Sequence, residues 1–277
     1  MSISPRAGRA AGPPPTFDQA QRTLWSAAGP ALGRRAIPQE SAVALVHDAS
    51  TTAVMMATPA DLEDLAVGFC LSEGIVARAD EIKALEVAAT PLGVEARAWL
   101  ATTASKALAS RRRRMVGPTG CGLCGMESLA HALRPLRPVA KGLQLRRAEI
   151  HDALEELTGL QELGGLTRAV HAAGWWTPGE GVRAVREDVG RHNALDKTIG
   201  ALAREGALPS AGAVLLTSRV SVEMVQKAVM AGAQAVIAVS APTVLAVRTA
   251  AAAGMTLIAI ARDDSFEVFS GGERIGP

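Results

Sequence analysis

Between residues 212 and 270 short apolar runs alternate with amphipathic stretches. AVLLTS (213–218), AVIAVS (235–240) and TLIAIA (256–261) read as buried strands, and SVEMVQKAVMAG (221–232) and PTVLAVRTAAAAG (242–254) as the helices between them. Strands alternating with helices on short connections predict parallel β-α-β units. FEVFS (266–270) can add an edge strand. Upstream, 149–163 has the period of an amphipathic helix ending at Gly164-Gly165. LTRAVHAAGWW and GVRAVRED predict two strands around a turn at Pro178-Gly179, and 193–204 predicts a helix. Nearer the start, 41–47 and 51–57 read as paired strands, and 82–88 and 93–101 as further strands. In TPADLEDLAVGFCLSEG (58–74), Thr58 can cap a helix and Pro59 suits its first turn. Leu62, Leu65, Ala66, Phe69 and Cys70 share one face, and Gly74 can stop it. Cys70 therefore reads as core. Residues 1–35, rich in Pro, Gly, Ala and Arg, read as a disordered tail. The expected organisation is that tail, an α+β region over 36–145, and an α/β core over 146–277 built on a mixed, partly parallel sheet.

In open α/β sheets ligands bind outside the carboxyl ends of the strands. Those ends carry Thr217-Ser218-Arg219, Ser240-Ala241-Pro242 and Ala261-Arg262-Asp263-Asp264, and two lead into helix N-termini. Free N–H groups and the helix dipole suit an anion there. A phosphate- or nucleotide-bearing ligand is expected, although Ser218 and Ser240 as simple helix caps would explain the serines. The cassette REDVGRHNALDK crowds Arg186, Glu187, Asp188, Arg191, His192, Asn193, Asp196 and Lys197 between apolar segments. Arginine forks suit phosphate, and Asn or Asp suits a base edge or ribose. A structural salt-bridge knot is the competing reading. His171, in an apolar strand, is read as a satisfied core histidine.

Composition narrows the field. Of 277 residues 48% are hydrophobic and 3% aromatic, with no tyrosine and a net charge of +2. That argues against nucleic acid as a partner. The apolar stretch 228–261 is broken by Pro242, Arg248 and two glycines, so no transmembrane helix is expected, and the start lacks a secretory h-region. Three cysteines make a poor disulfide framework and point to a reducing, cytoplasmic setting. Two of them, Cys121 and Cys124, sit in TGCGLCGM (119–126) after the run Arg111–Arg114. The run reads as a solvated segment or as a positive field favouring thiolate. Zinc is disfavoured: there is no second C-x-x-C, no H-x₃₋₅-H pair and no H-x-E. Dithiol redox chemistry and sulfur relay by a persulfide on an accessible thiolate both remain open.

Five stretches in this order resemble the formate dehydrogenase accessory sulfurtransferases (FdhD/NarQ type), over about residues 38–276. They are TPADLEDLAVGFCLSEGIV, TGCGLCGMESL, REDVGRHNALDK, TSRVSVEMVQKA and ARDDSFEVFSGGERI. The resemblance implies a homodimer with a three-layer, cytidine-deaminase-like core that lacks the zinc site. It implies a sulfurtransferase that takes sulfur from a cysteine desulfurase. The sulfur passes to the molybdenum of a bis(molybdopterin guanine dinucleotide) cofactor, which is bound as substrate and then used by formate dehydrogenase. Cys121 matches the persulfide carrier and Cys124 its partner. Ile260, Ala261, Arg262, Asp263, Asp264 and Ser265 match a cofactor-binding segment, for which a guanine nucleotide such as GDP is a mimic. With these, Arg186, Asp188, Arg191, His192, Asn193, Ser218 and Arg219 are the expected ligand contacts. Where the family usually has glycines between a threonine and a histidine, this chain has Arg168-Ala169 before His171. Ala60 also replaces a usual glycine.

Overall fold

The computed structural model describes residues 14–113, 136–206, 211–262 and 264–276. Strands β1 (Phe17–Ser26) and β2 (Gly29–Pro38) form a two-stranded antiparallel ribbon. This corrects the expected tail from residue 17 onward. Composition pointed to disorder, but the cross-strand register from Phe17↔Pro38 to Ser26↔Gly29 is unbroken, and Gly29 takes φ +97° at the turn.

Strands β3 (Ser41–His47), β4 (Ser50–Ala57), β5 (Ile82–Thr90) and β6 (Gly93–Leu100) make a four-stranded sheet in the order β4-β3-β6-β5. Helix α1 (Leu62–Ser72) covers one face, burying Leu62, Leu65 and Ala66 against Val43, Leu45, Val94 and Ala96. It starts three residues later than the expected cap. Thr58 is occupied elsewhere, its hydroxyl accepting from the Val189 N–H and its carbonyl from Lys197, so Asp61 stands at the helix start with φ 51°. Gly74, at φ +65°, lies just past the helix end as anticipated. Helix α2 (Thr102–Arg113) follows.

Strand β7 (Leu145–Arg146) leads into α3 (Arg147–Gly159) and the short α4 (Glu162–Thr167). The single helix expected over 149–163 is thus two, parted at Leu160-Gln161. Then come β8 (His171–Thr177), β9 (Gly181–Asp188), α5 (Arg191–Arg204), β10 (Ala213–Leu216), α6 (Val222–Met230), β11 (Ala235–Ala238), α7 (Val244–Ala252), β12 (Thr256–Arg262), β13 (Ser265–Ser270) and β14 (Ile275–Gly276). Six of these strands form one mixed sheet, ordered β13-β12-β11-β10-β8-β9. Strands β10, β11 and β12 are parallel, β8 and β13 run against them, and β9 is antiparallel to β8. The β-α-β cadence and the edge strand at 266–270 are therefore as read.

Alternation along the central strands sorts the core. Val214, Leu216, Val236 and Ala238 face α5, α6 and α7, and Ala213, Leu215, Ala235 and Ile237 face α3. The boundary at 145/146 does not separate two cores, because Val67, Cys70 and Leu71 of α1 share the larger cluster with Ala194, Leu195 and Ile199 of α5. Gly68 and Gly200 make this contact nearly backbone on backbone. A Cβ on Gly68 would stand 1.7 Å from the Asp196 carbonyl oxygen, and one on Gly200 would stand 1.9 Å from that of Asp64. Ion pairs flank the seam. Lys227 Nζ reaches Asp196 at 3.0 Å, Glu73 at 2.8 Å and Ser72 Oγ at 2.9 Å. On the other flank the Arg186 and Arg204 guanidinia hold Asp64. Cys70 is fully buried, with Sγ 3.0 Å from His47 Nε2. Burial first, then the Asp196 and Asp48 carboxylates, push its thiol up to about 12, so it is an inert core group. No helix among the described residues is long and apolar enough to cross a membrane.

Candidate anion site at the carboxyl edge of the mixed sheet

The ends of β9, β10, β11 and β12 and the start of β8 lie on one edge of the sheet, because His171 pairs with Asp188 and Leu216 with Ala173 and Ala238. The N-termini of α5, α6 and α7 open on that edge. Two have no side-chain cap: Gly190 stands at the start of α5, and Ser221 at the start of α6 donates to Glu223 (2.6 Å) instead. Thr243 does cap α7, accepting from the Ala246 N–H. Uncapped helix starts leave N–H groups for an anion.

The cassette splits into an inward and an outward set. Asp188 is fully buried and collects four donors: the Thr58 N–H at 3.0 Å, the Gly190 N–H at 2.7 Å, Asn193 Nδ2 at 2.9 Å and Lys197 Nζ at 2.6 Å. Asn193 also donates to the Met56 carbonyl. These residues build the turn before α5 and tie it to the segment ahead of α1. Arg186 is likewise committed, its Nε and Nη2 on the Asp64 carboxylate and its Nη1 on the Val185 carbonyl. Three residues expected to contact a ligand are thus engaged in the protein itself. Lys197 and Asp196, each with almost no exposure, belong to the same inward set.

Arg191 and His192 form the outward set. Arg191 Nε is shut from solvent with no hydrogen-bond partner among the described residues. The His192 ring is about one-third exposed (37%), but its Nε2 is buried and stands 3.7 Å from Glu223, too far for a hydrogen bond. Burial, then Arg191 and Lys227, push the imidazole down to about 4, against the pull of Glu223. Burial, then Arg191, also lowers His171. Both rings are neutral at neutral pH, leaving Arg191 as the charge between them. Because native His192 binds its proton only near pH 4, against an ordinary value of 6.5, it supports the fold fully above about pH 6.5, and that support is lost as pH falls toward 4. Melting curves across that window should therefore slope more gently for His192→Gln than for the wild type. Parallel curves would show that the ring is not held neutral.

Across the edge, Ser218 is buried and donates to the Arg219 carbonyl (3.3 Å), and Arg219 is exposed. Thr217 Oγ1 accepts from the Ala172 N–H (2.9 Å), fastening β10 to β8. Arg262 is exposed, its Nε donating to the Val239 carbonyl (3.2 Å). Ile260 takes φ +52°, although a β-branched side chain disfavours that region. Its N–H reaches the Ser240 carbonyl at 3.3 Å, and the register with β13 shifts between Ala259 and Arg262. Backbone strain of this kind concentrates at ligand sites. Arg262 pairs with Ser265, and Arg147 donates to the Asp264 carbonyl, holding the turn beyond. Arg168 takes the left-handed conformation (φ 56°) at the end of α4, where glycine is the easier residue. Cys121, Cys124, Arg114 and Asp263 lie outside the described residues, and Cys70 is the cysteine within them. No group of three or more potential metal ligands occurs among the described residues.

Sequence reading did not single out Glu223 beside His192 or Thr58 and Asp64 as anchors of the cassette. Their signal, two carboxylates and a hydroxyl within the quoted motifs, became informative only through the contacts the fold gives them.

Fold and edge together define a mixed α/β protein whose parallel strands end at an edge where two helices start without a side-chain cap. The model of the FdhD/NarQ family matches residues 38–276, and the chain belongs to that family. Among relatives, a protein of Agrobacterium fabrum named sulfur carrier protein FdhD is 46% identical over 94% of this chain and 96% of its own. One of Brucella abortus with the same name is 51% identical over 85% and 88%. A crystal structure from Desulfotalea psychrophila, described as that of a formate dehydrogenase accessory protein, superposes with a TM-score of 0.76. It is 26% identical and covers 95% of this chain and all of its own.

Proposed function

We propose that this protein is a sulfur carrier serving formate dehydrogenase. It takes sulfur from a cysteine desulfurase and delivers it to the molybdenum bis(molybdopterin guanine dinucleotide) cofactor, which it binds as substrate. The observation that carries the reading is the buried, unpartnered Arg191 Nε at the uncapped start of α5, beside two neutral histidines. The names of the relatives support the sulfur chemistry. In the loading step the Cys121 thiolate attacks the outer sulfur of the desulfurase persulfide. A new S–S bond forms, the donor's S–S bond breaks, and the donor leaves as a thiolate. At the sheet edge, Arg191, Arg262 and the N–H groups of the α5 and α6 starts hold the phosphates of the substrate's nucleotide arms. His171 and His192 supply hydrogen bonds without further charge. Arg186, Asp188 and Asn193 set the shape of the turn rather than touch the ligand.

Intact mass after incubation with desulfurase and cysteine tests the relay. The wild type should gain one sulfur atom and Cys121→Ala none. A loss of two hydrogens would instead support the dithiol redox reading, and no change in the wild type would leave a cofactor chaperone without sulfur transfer. Titration with GDP tests the edge. Arg191→Ala should weaken binding at least about tenfold, the cost of one charge-assisted hydrogen bond. Undiminished binding would remove Arg191 from the site.

A further inference from the structure

Strand β12 does not keep its alternation to the end. Leu257 and Ala259 pack on the α5–α7 side of the sheet and Ile258 on the α3 side, as a period of two requires. The next residue packed on the α3 side is Ala261, not Ile260. The register with β13 shifts between Ala259 and Arg262, and Ile260 stands at φ +52°. This is a bulge: one residue is inserted, and the side chains beyond it change sides. In an unbroken strand Arg262 would share the face of Ile258. After the bulge it lies on the face opposite Ala261, the side on which α5, α6 and α7 start.

A β-branched residue keeps this conformation only where its surroundings over-determine it. Helix α3 supplies three contacts to that end. Ala261 is buried in the cluster that holds Ile150 and Leu154. His151 sets its ring 5.6 Å from that of Phe266. Arg147 donates from Nη2 to the Asp264 carbonyl at 2.8 Å. Positions 147 and 151 share one face of the helix, being four apart, and they grip the chain on either side of Ser265. The neighbouring Arg146 does not take part, because its guanidinium is directed to Glu149 at the start of the same helix (2.7 Å).

We propose that Arg147 is a positioning residue of the nucleotide site: by holding the Asp264 carbonyl it fixes the bulge that aims Arg262 at the ligand. This rests on the edge being a nucleotide site in which Arg262 meets a phosphate. Arg147 itself touches no ligand. It stands on the α3 layer, on the opposite face of the sheet from the helices whose starts open on the edge, and it acts through the turn 262–265. A guanidinium already aimed pays no ordering cost when the phosphate arrives, whereas a free turn must be ordered at that moment.

GDP titrations of single and double variants of the full chain test this. Arg262→Ala should weaken binding about tenfold, the loss of one charge-assisted contact, and Arg147→Ala about three- to tenfold. Because Arg147 acts through Arg262, the variant lacking both should bind no more weakly than Arg262→Ala alone, whereas two independent effects would multiply. Arg147→Ala should melt with the wild type, since the side chain is exposed. Arg147→Lys keeps a donor for the carbonyl and should retain affinity. Arg146→Ala removes a charge from the adjacent exposed position and should also bind as the wild type does. Undiminished binding by Arg147→Ala, an equal loss in Arg146→Ala, or losses that multiply in the double variant would overturn the inference and leave the nucleotide site in place. A wild type that binds no GDP would overturn both.

Discussion

Replacing Gly68 with alanine lowers the melting temperature by at least about 6 °C, while Gly165→Ala leaves it unchanged or slightly raised. The difference is one of neighbours. A Cβ at Gly68 would overlap the Asp196 carbonyl oxygen at 1.7 Å, and one at Gly165 meets nothing within 4 Å. Position 68 cannot yield locally, because its obstacle is helix backbone and not the end of a side chain. The helices must part, and the groups on both flanks of the seam part with them: Lys227 from Ser72 and Glu73 on one side, and Arg204 from Asp64 on the other. Overpacking costs about 1–3 kcal/mol in typical cores and more when backbone must move. At about 2–4 °C per kcal/mol for a chain of this size, 3 kcal/mol corresponds to about 6 °C or more. Gly200→Ala, aimed at the Asp64 carbonyl from the other helix, should behave alike. A Gly68→Ala protein melting with the wild type would mean that α1 and α5 do not pack this closely.

The same seam explains what could and could not be read from sequence. Periodicity located α1 and α5, since Leu65, Cys70, Leu195 and Ile199 are buried at helical spacing. It could not show that these two helices touch, because a glycine in an apolar stretch has several readings and Gly68 and Gly200 lie far apart in the chain. The β-α-β cadence from 213 to 261 was legible because each strand there is buried on both faces. The ribbon was not, because composition is local and a cross-strand register is not. At the sheet edge, the strand-end rule found Ser218, Arg219 and Arg262, which do share one edge. The cassette misled in part. Charge density marked its importance, but only contacts divide residues left part-exposed at the helix mouth, Arg191 and His192, from those that build the turn, Asp188, Asn193 and Lys197. Both sets are polar, and nothing in residue type separates them.

Lys197→Met should cost about 3–5 kcal/mol, the usual consequence of removing one partner of a buried ion pair. Lys197 Nζ has no exposure and only oxygen neighbours to compensate it, Asp188 at 2.6 Å and the Thr58 carbonyl at 2.9 Å. Methionine fills most of the volume but leaves the Asp188 carboxylate with the Thr58 and Gly190 N–H groups and Asn193, neutral donors that offset part of its charge. Asp188→Asn on its own leaves the opposite fault, a buried ammonium without its carboxylate. The double variant has neither, so its loss should be smaller than the sum of the two single losses by at least about 1 kcal/mol in denaturant unfolding. Additive losses would show that the pair is not coupled. The effect should also reach the ligand edge. Asp188 fixes the Gly190 N–H and Asn193, and so the direction in which the chain enters α5 with Arg191 and His192 at its mouth. A double variant that is folded should therefore bind GDP more weakly than the wild type while keeping every edge residue, because the turn that aims them has lost its anchor.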